Sequence, residues 1–504
     1  MEEREVRRDK LQRLRQAGVD PYPHRFDRTH TILEARRLGD EGGGEGKSTR
    51  VRLAGRLVAV RRMGKANFAH LEDQDARIQL YLTADKTKKF DAFKELIDRG
   101  DMLGVEGTFF VTRTGELTVQ VSQFTLLAKV LQPLPEKYHG LRDVETMRRQ
   151  RYLHLIADAE ARQFFKKRGR IVSLVRAFLD QRGFVEVQTP ILQPIYGGAA
   201  ARPFRTYHNE LKRDLYLRIS PELYLKRLVV GGLERVYEIA SCFRNEGVDS
   251  HHNPEFTLLE LYQAYADYND MMALTEAMVR FLAQEVNGAL TLPARNIDGR
   301  EVAIDLDPPW QRLPYLEAIK RYAGVDVTSV ATQDQALAAA AEAGLNTSDL
   351  RGLTWEQTLA QIFDQRVEEH LVQPTFITDY PAGLCPLTKR HRSNPRLAER
   401  FEPYMAGMEF GNAFSELSDP EYQKLQFELQ RERAKAGDAE AHPTDDDYVT
   451  ALEHGLPPTG GLGIGLDRLV MLLTGTASIR DVILFPLQRS AAGGTEQDTE
   501  SSAT

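Results

Sequence analysis

Residues 255–265 read EFTLLELYQAY, and alternation along an extended strand puts Phe256, Glu260 and Tyr262 on one face. The neighbouring residues are of buried type, so a carboxylate at Glu260 needs a cationic partner. The segment follows FRNEG (243–247), which carries Arg244, across a short polar loop. Far downstream, GNAFSEL (411–417) places Asn412, Phe414 and Glu416 on a common face in the same way. Two carboxylate-bearing strands and one arginine suggest a pocket for an amino acid.

GGLGIGLDRL (460–469) invites a dinucleotide-binding reading, but its third glycine is misplaced and no strand-helix-strand unit with a later ribose-binding acid fits before the C-terminus. The Gly-Lys-Ser/Thr of a P-loop is absent as well. A glycine-lined strand running into a helix fits better, with backbone open to a ligand and Arg468 at the helix start. The alternative is plain packing of glycines.

The elements that must position these residues fall into two parts. Residues 2–17 form an amphipathic helix stopped at Gly18. Strand candidates at 51–60, 67–73, 77–82, 102–111 and 117–127, with a helical stretch at 86–98 after the third, follow the order of an OB-fold barrel. Such barrels bind single-stranded nucleic acid by aromatic stacking, and Phe68 and Tyr81 are the stacking candidates or, alternatively, barrel core. Residues 129–150 read as a linker. A larger domain over 151–490 follows, with a helix at about 160–182 and strands at FVEVQTPIL, 214–220, 233–240, 255–265, 375–380 and 405–417. Strands outnumber the helices between them, so this is an α+β domain with a largely antiparallel sheet. Residues 312–372 are Ala-rich and read as a helical insertion, and 491–504 as a disordered tail.

At 504 residues and a net charge of −7 the composition is that of a globular protein, not of one that coats nucleic acid nonspecifically. The first 65 residues are nevertheless basic, with seventeen Lys and Arg against ten Asp and Glu, which favours a polyanion or simply a solvated helix face. No apolar run approaches the roughly 20 residues needed to span a membrane, and the charged N-terminus has no signal core, so a cytoplasmic location is expected. Cys242 and Cys385 are the only cysteines, too few for a disulfide framework or a Cys-rich zinc site, and read as buried small side chains.

GFVEVQTPIL (183–192), FRNEGVDSHHNPEFTLLEL (243–261) and GLGIGLDRLVMLL (461–473) stand in the order of the three signature motifs of class II aminoacyl-tRNA synthetases, which the chain resembles from about residue 4 to 488. YGGAAARPF (196–204), LYLRISPELYLKRLVVGG (215–232) and GNAFSELSDP (411–420) are most similar to the bacterial-type lysyl-tRNA synthetases. The resemblance implies an OB-fold that reads the anticodon, a six-stranded antiparallel sheet flanked by helices, and a homodimer built on the first motif. It also implies a ligase that makes lysyl-adenylate from L-lysine and ATP and passes the lysyl group to the 3′-hydroxyl of tRNA(Lys).

Carried over residue by residue, Arg244 would hold the lysine carboxylate and the α-phosphate, with Arg468 as the second catalytic arginine. Phe256 would stack under adenine, and Glu246, His252, Glu409 and Arg468 would complete the ATP site. Glu402 and Glu409 would bind Mg2+. Gly198, Glu222 and Glu260 would receive the α-amine, Tyr262 and Glu416 the ε-ammonium, and Asn412 and Phe414 would line the stem. Arg61, Phe68, Gln79 and Glu116 would read the anticodon. Strict alternation puts Glu409 on the face opposite Asn412, Phe414 and Glu416, so a bulge near Gly411 is required.

The chain departs from the family pattern at IASCFRNEG and LCPLTKR, where Cys242 and Cys385 stand near the site; packing or oxidation sensitivity is the expected consequence. Aspartyl- and asparaginyl-tRNA synthetases share the barrel and all three motifs but need a cationic or amide-reading pocket, which Glu416 opposite Tyr262 does not provide. A lysyl-transfer paralogue with a non-tRNA acceptor and a catalytically inert RNA-binding regulator are the remaining alternatives.

Overall fold

The computed structural model describes residues 2–41, 49–134, 143–296, 299–435 and 443–488. Residues 135–142 of the expected linker and the whole expected tail, 491–504, lie outside the described residues. The chain divides into two compact units, Met1–Gln163 and Phe164–Thr504.

In the first unit, period-two burial builds a barrel. β1 (Arg50–Met63), β2 (Ala66–Glu72), β3 (Arg77–Thr83), β4 (Met102–Val111) and β5 (Leu117–Ala128) close in the order β1-β2-β3-β5-β4. Val51, Leu53, Leu71, Leu80, Leu103 and Val119 point inward and are almost fully buried. The helix after the third strand is present (Phe90–Leu96). The N-terminal helix, Glu3–Gln16, buries Leu11 and Leu14, and Gly18 follows it with φ +68°. A second helix, Ile32–Glu41, was not expected from the sequence. Its signal is a capping box in Thr-Ile-Leu-Glu: Thr31 N donates to Glu34 Oε2 at 2.8 Å and Glu34 N to Thr31 Oγ1 at 3.2 Å.

The second unit is a large sheet covered by helices, as an α+β reading requires. Along the sheet run β14 (Gln311–Pro314), β15 (Thr375–Pro381), β16 (Leu397–Met405), β18 (Gly411–Ser415), β19 (Thr459–Gly465), β11 (Glu255–Ala264), β10 (Arg235–Phe243) and β6 (Val185–Glu186), with β17 (Met408–Glu409) paired to β16; β7 (Leu192–Gln193), β8 (Arg205–His208) and β9 (Arg213–Leu217) form a small sheet apart, and β12 (Thr291–Arg295) pairs with β13 (Glu301–Asp305). The run from β15 to β10 is antiparallel throughout, and only the short edge strands pair in parallel. The insertion carries helices Tyr315–Ala323, Gln333–Glu342 and Trp355–Arg366, which share a second core with Ile377 and Tyr380 of β15 and Ala398 and Tyr404 of β16, and in it Tyr315 stacks on Phe363 with ring centroids 4.6 Å apart.

Two strand expectations need correction. FVEVQTPIL pairs with the main sheet only at Val185–Glu186, and Leu192–Gln193 joins a separate three-stranded sheet. Pro190 has no N–H to donate, and Glu238 Oε2 accepts from Thr189 N at 3.0 Å and Thr189 Oγ1 at 2.7 Å, drawing the chain out of the ladder. Arg213–Leu217, expected in the main sheet, belongs to the same small sheet. Conversely, β16 was missed because its buried face includes Glu399, whose charge masks the alternation; Arg392 pairs with it at 2.5 Å. Val185, Ile191, Leu192 and Ile195 are exposed along the segment that leaves the sheet. Among the described residues no helix is long and apolar enough to cross a membrane.

Candidate active site

The cavity is made by what β19 lacks. This strand lies between β11 and β18, pairing Gly461 with Tyr262 and Phe414, and Gly463 with Glu260 and Asn412. Two glycines therefore face the side chains that alternation had placed on the flanking strands, leaving a flat floor under a cavity of about 480 Å³. A Cβ at Gly461 would run into the Glu416 carboxylate and the Tyr262 ring, whereas one at Gly463 would meet nothing nearer than Asn412 O at 3.8 Å. Protein packing forbids the first; only an occupant of the cavity would be hindered by the second.

At one end the walls are acidic. Gly198, with φ +87°, Glu222, Glu260 and Tyr262 line the cavity. Glu260 does not meet the cationic partner its burial called for. Tyr262 Oη donates to its Oε1 at 2.6 Å and Ser220 Oγ to its Oε2 at 3.0 Å, both neutral groups. Burial, aided by the neighbouring Glu222, pushes the Glu260 carboxyl up to about 8. Glu416 is fully buried and lies behind the cavity wall rather than on it. Its Oε2 is ion-paired with Lys226, and its Oε1 has no hydrogen-bond donor. Burial pushes its carboxyl up to about 8 as well, against the pull of Lys226.

At the other end the walls are basic. Arg244 and Phe256 both reach the cavity, the guanidinium carbon 5.0 Å from the ring centroid, and Arg244 Nε is buried without a hydrogen-bond partner. Exposed Glu246 lines the rim. In the loop before β11, Asp249 Oδ1 accepts from His251 N at 2.6 Å and His252 N at 2.7 Å, while His252 Nδ1 lies 2.9 Å from Asp249 Oδ2. The other nitrogen of His252 sits 3.4 Å from an Arg468 nitrogen. Arg468 donates to Glu409 O at 2.8 Å and pairs with the Glu409 carboxylate.

The required bulge is present. Tyr404 pairs with Glu409 but Phe401 with Ala413, a one-residue slip that interrupts the strand at Phe410 and turns Glu409 into the same cavity as Asn412 and Phe414. Glu402 also lines the cavity, pairs with Arg400 and accepts from Tyr380 Oη at 2.5 Å and Tyr404 Oη at 3.1 Å. Among the described residues no group of three or more His, Cys, Asp or Glu could hold a metal by itself. Two carboxylates fit a hard divalent ion whose remaining ligands are phosphate oxygens and water.

On the barrel, Phe68 pairs across the strands with Arg61 and Tyr81, and its ring lies 4.7 Å from that of Tyr81, which lies 5.6 Å from Phe110. Gln79 Nε2 donates to Glu116 Oε2 at 2.7 Å. All four residues assigned to the barrel thus lie together on its outer side, Phe68 and Gln79 half-buried and Arg61 and Glu116 exposed, beside a ladder of aromatic rings.

The sequence reading missed Lys226, Arg400 and Ser220. Lys226 had a signal: it stands four residues after Glu222 in ELYLKR, a spacing that pairs charges on one helix face. Arg400 donates to Asn412 Oδ1 at 3.0 Å and packs over the Tyr380 ring at 4.6 Å, but the strand carrying it was itself unrecognised. Both cysteines are buried, and burial pushes Cys242 up to about 12.

Residues 143–489 match the family of tRNA synthetases class II (D, K and N), and residues 51–127 match the OB-fold nucleic acid binding domain. The chain is 52% identical to a lysine–tRNA ligase of Carboxydothermus hydrogenoformans over 96% of its own length and 97% of the relative's. Identity is 51% to one from Moorella thermoacetica and 48% to one from Staphylococcus haemolyticus, again over 96% of this chain and 97% and 98% of theirs. With both domains matched and full-length relatives at about half identity, this chain belongs to the class II tRNA synthetases and, within them, to the lysine–tRNA ligase family.

Proposed function

We propose that the chain condenses L-lysine with ATP to lysyl-adenylate and pyrophosphate in the glycine-floored cavity, then transfers the lysyl group to the 3′-hydroxyl of tRNA(Lys). The observation that carries this reading is an uncompensated acidic end: three buried carboxylates, Glu222, Glu260 and Glu416, around one resident ammonium, Lys226. Buried carboxylates in excess demand cations, and lysine brings an α-ammonium and an ε-ammonium. An acidic or amide side chain would leave that demand unmet, which disfavours aspartate and asparagine.

In this reading Glu222, Glu260 and the Gly198 turn receive the α-ammonium. Tyr262 and Glu416 receive the ε-ammonium, and Asn412 and Phe414 flank the stem. Arg244, with a free Nε, bridges the lysine carboxylate and the α-phosphate as a forked cation. Phe256 carries the adenine, and Glu246, His252 and Arg468 meet the nucleotide. Glu402 and Glu409 would hold Mg2+, which supplies charge neutralisation on the phosphates. The carboxylate of lysine attacks the α-phosphorus in line and pyrophosphate leaves. The protein contributes orientation and electrostatics, with no covalent nucleophile of its own.

The barrel over 50–128 would read the anticodon through Phe68, Gln79, Glu116 and Arg61, and 151–490 would form the catalytic part. The exposed apolar side chains at Val185, Ile191, Leu192 and Ile195 support a homodimer, and the protein would work in the cytoplasm. The test is ATP–pyrophosphate exchange with each of the twenty amino acids, without tRNA. Exchange with lysine alone is expected; exchange with aspartate or asparagine instead would overturn the reading.

A further inference from the structure

Lys226 is fully buried, does not line the cavity, and sits behind its acidic wall. Its Nζ lies 2.5 Å from Glu222 Oε1, pairs with Glu416 Oε2, and is 5.8 Å from the Tyr262 ring centroid. Those two carboxylates come from distant parts of the chain, the start of the helix Glu222–Val230 and the residue just after β18, and this ammonium ties them together. Resting on the functional reading above, we propose that Lys226 is a specificity-determining positioning residue. Its charge reduces three buried carboxylates to a net of two, and its grip on Glu416 Oε2 leaves Oε1 open toward Gly461, so that the pocket accepts an amino acid carrying two ammonium groups.

The arithmetic sets the selectivity. A substrate with one ammonium leaves one of these carboxyls uncompensated, buried either as a charge or with a proton in the place of the missing ammonium, whereas one with two closes the count; the substrate carboxylate is answered separately by Arg244. An apolar residue at 226 would leave three buried carboxylates without a resident cation. The charged and titratable groups around Lys226 are Glu222 from its own helix, Glu260 and Tyr262 from β11, Glu416 after β18, and Tyr448 from the helix Asp446–Glu453, whose hydroxyl is buried without a partner. Although burial pushes Lys226 down, Glu222 and Glu416 together hold it well above its ordinary value, so its charge persists.

The experiment uses the full-length protein and three variants, Lys226→Met, Glu222→Gln and the double variant, in lysine-dependent ATP–pyrophosphate exchange from pH 6 to 9. Lys226→Met is expected to raise KM for lysine at least 100-fold, to change KM for ATP less than threefold, and to move the lysine KM profile upward by at least one pH unit. Because the double variant restores a net of two carboxylates, it is expected to recover at least tenfold over either single variant. A double variant no better than the worse single, or an unshifted pH profile in Lys226→Met, would overturn the proposal, as would failure of both Lys226 variants to fold. Absence of lysine exchange in the unmodified protein would instead remove the functional reading beneath it.

Discussion

Glu260 and Glu416 give the site a pH signature. Both carboxyls are held near 8 when the pocket is empty, so below that pH protons occupy the places that ammonium groups would take. Lysine binding must expel those protons, and its affinity should rise from pH 6 to 8 by up to about tenfold per unit for each proton expelled. Calorimetry in buffers of different ionisation enthalpy should detect proton release; no release would refute the assignment. The sign for stability is opposite. A folded-state value of about 8 against an ordinary 4.5 means the folded protein holds more protons across that window, so these residues make stability fall as pH rises through it. The stabilisation conferred by saturating lysine should therefore be larger at pH 8 than at pH 6, read as a shift in Tm. Gly463→Ala is the complementary test. Its methyl group would meet no protein atom within about 3.5 Å, so Tm should stay within a few degrees while exchange falls at least 100-fold. Gly461→Ala should instead lower Tm sharply, since the added carbon has nowhere to go.

At the scale of elements, the barrel and the sheet should be separable by mutation. The Phe68 ring packs at a tilt against Tyr81 and remains half-exposed, a surface on which a base can stack at about 1–3 kcal/mol. Phe68→Ala should raise KM for tRNA about tenfold or more and leave ATP–pyrophosphate exchange unchanged; a slower exchange would mean that the barrel is not a separate reader. Strand alternation already put Glu260 with Tyr262 and Asn412 with Glu416 on common faces, because period two is enforced wherever one face is buried, while the glycines of 460–465 were compatible with either a ligand or plain packing. The bulge at Phe410 was legible as a necessity, since Glu409 could not otherwise share a face with Asn412. The broken strand at Pro190 was not, because it depends on Glu238 capturing Thr189 from another strand.

For the whole molecule, Ile191 and Leu192 stand exposed along the segment that leaves the sheet after a strand two residues long, apolar surface of the kind that self-association covers. Leu192→Asp with Ile191→Asp should convert the proposed homodimer to a monomer in sedimentation velocity, and an unchanged sedimentation coefficient would overturn its placement on this segment.

The sequence by itself determined the two-part architecture, the strands bearing Glu260 and Glu416, a glycine-lined strand before Arg468, and the family. These follow from local periodicity, turn chemistry and motif order, all properties of short stretches of chain. Only the tertiary structure decided how the charges pair. Glu260 was expected to meet a cation and instead accepts from Tyr262 and Ser220, while the cation belongs to Glu222 and Glu416 through Lys226. Which buried charges find each other depends on side chains brought together from distant segments, and a low-dielectric interior makes that pairing, rather than the spacing of residues along the chain, set the protonation of the site.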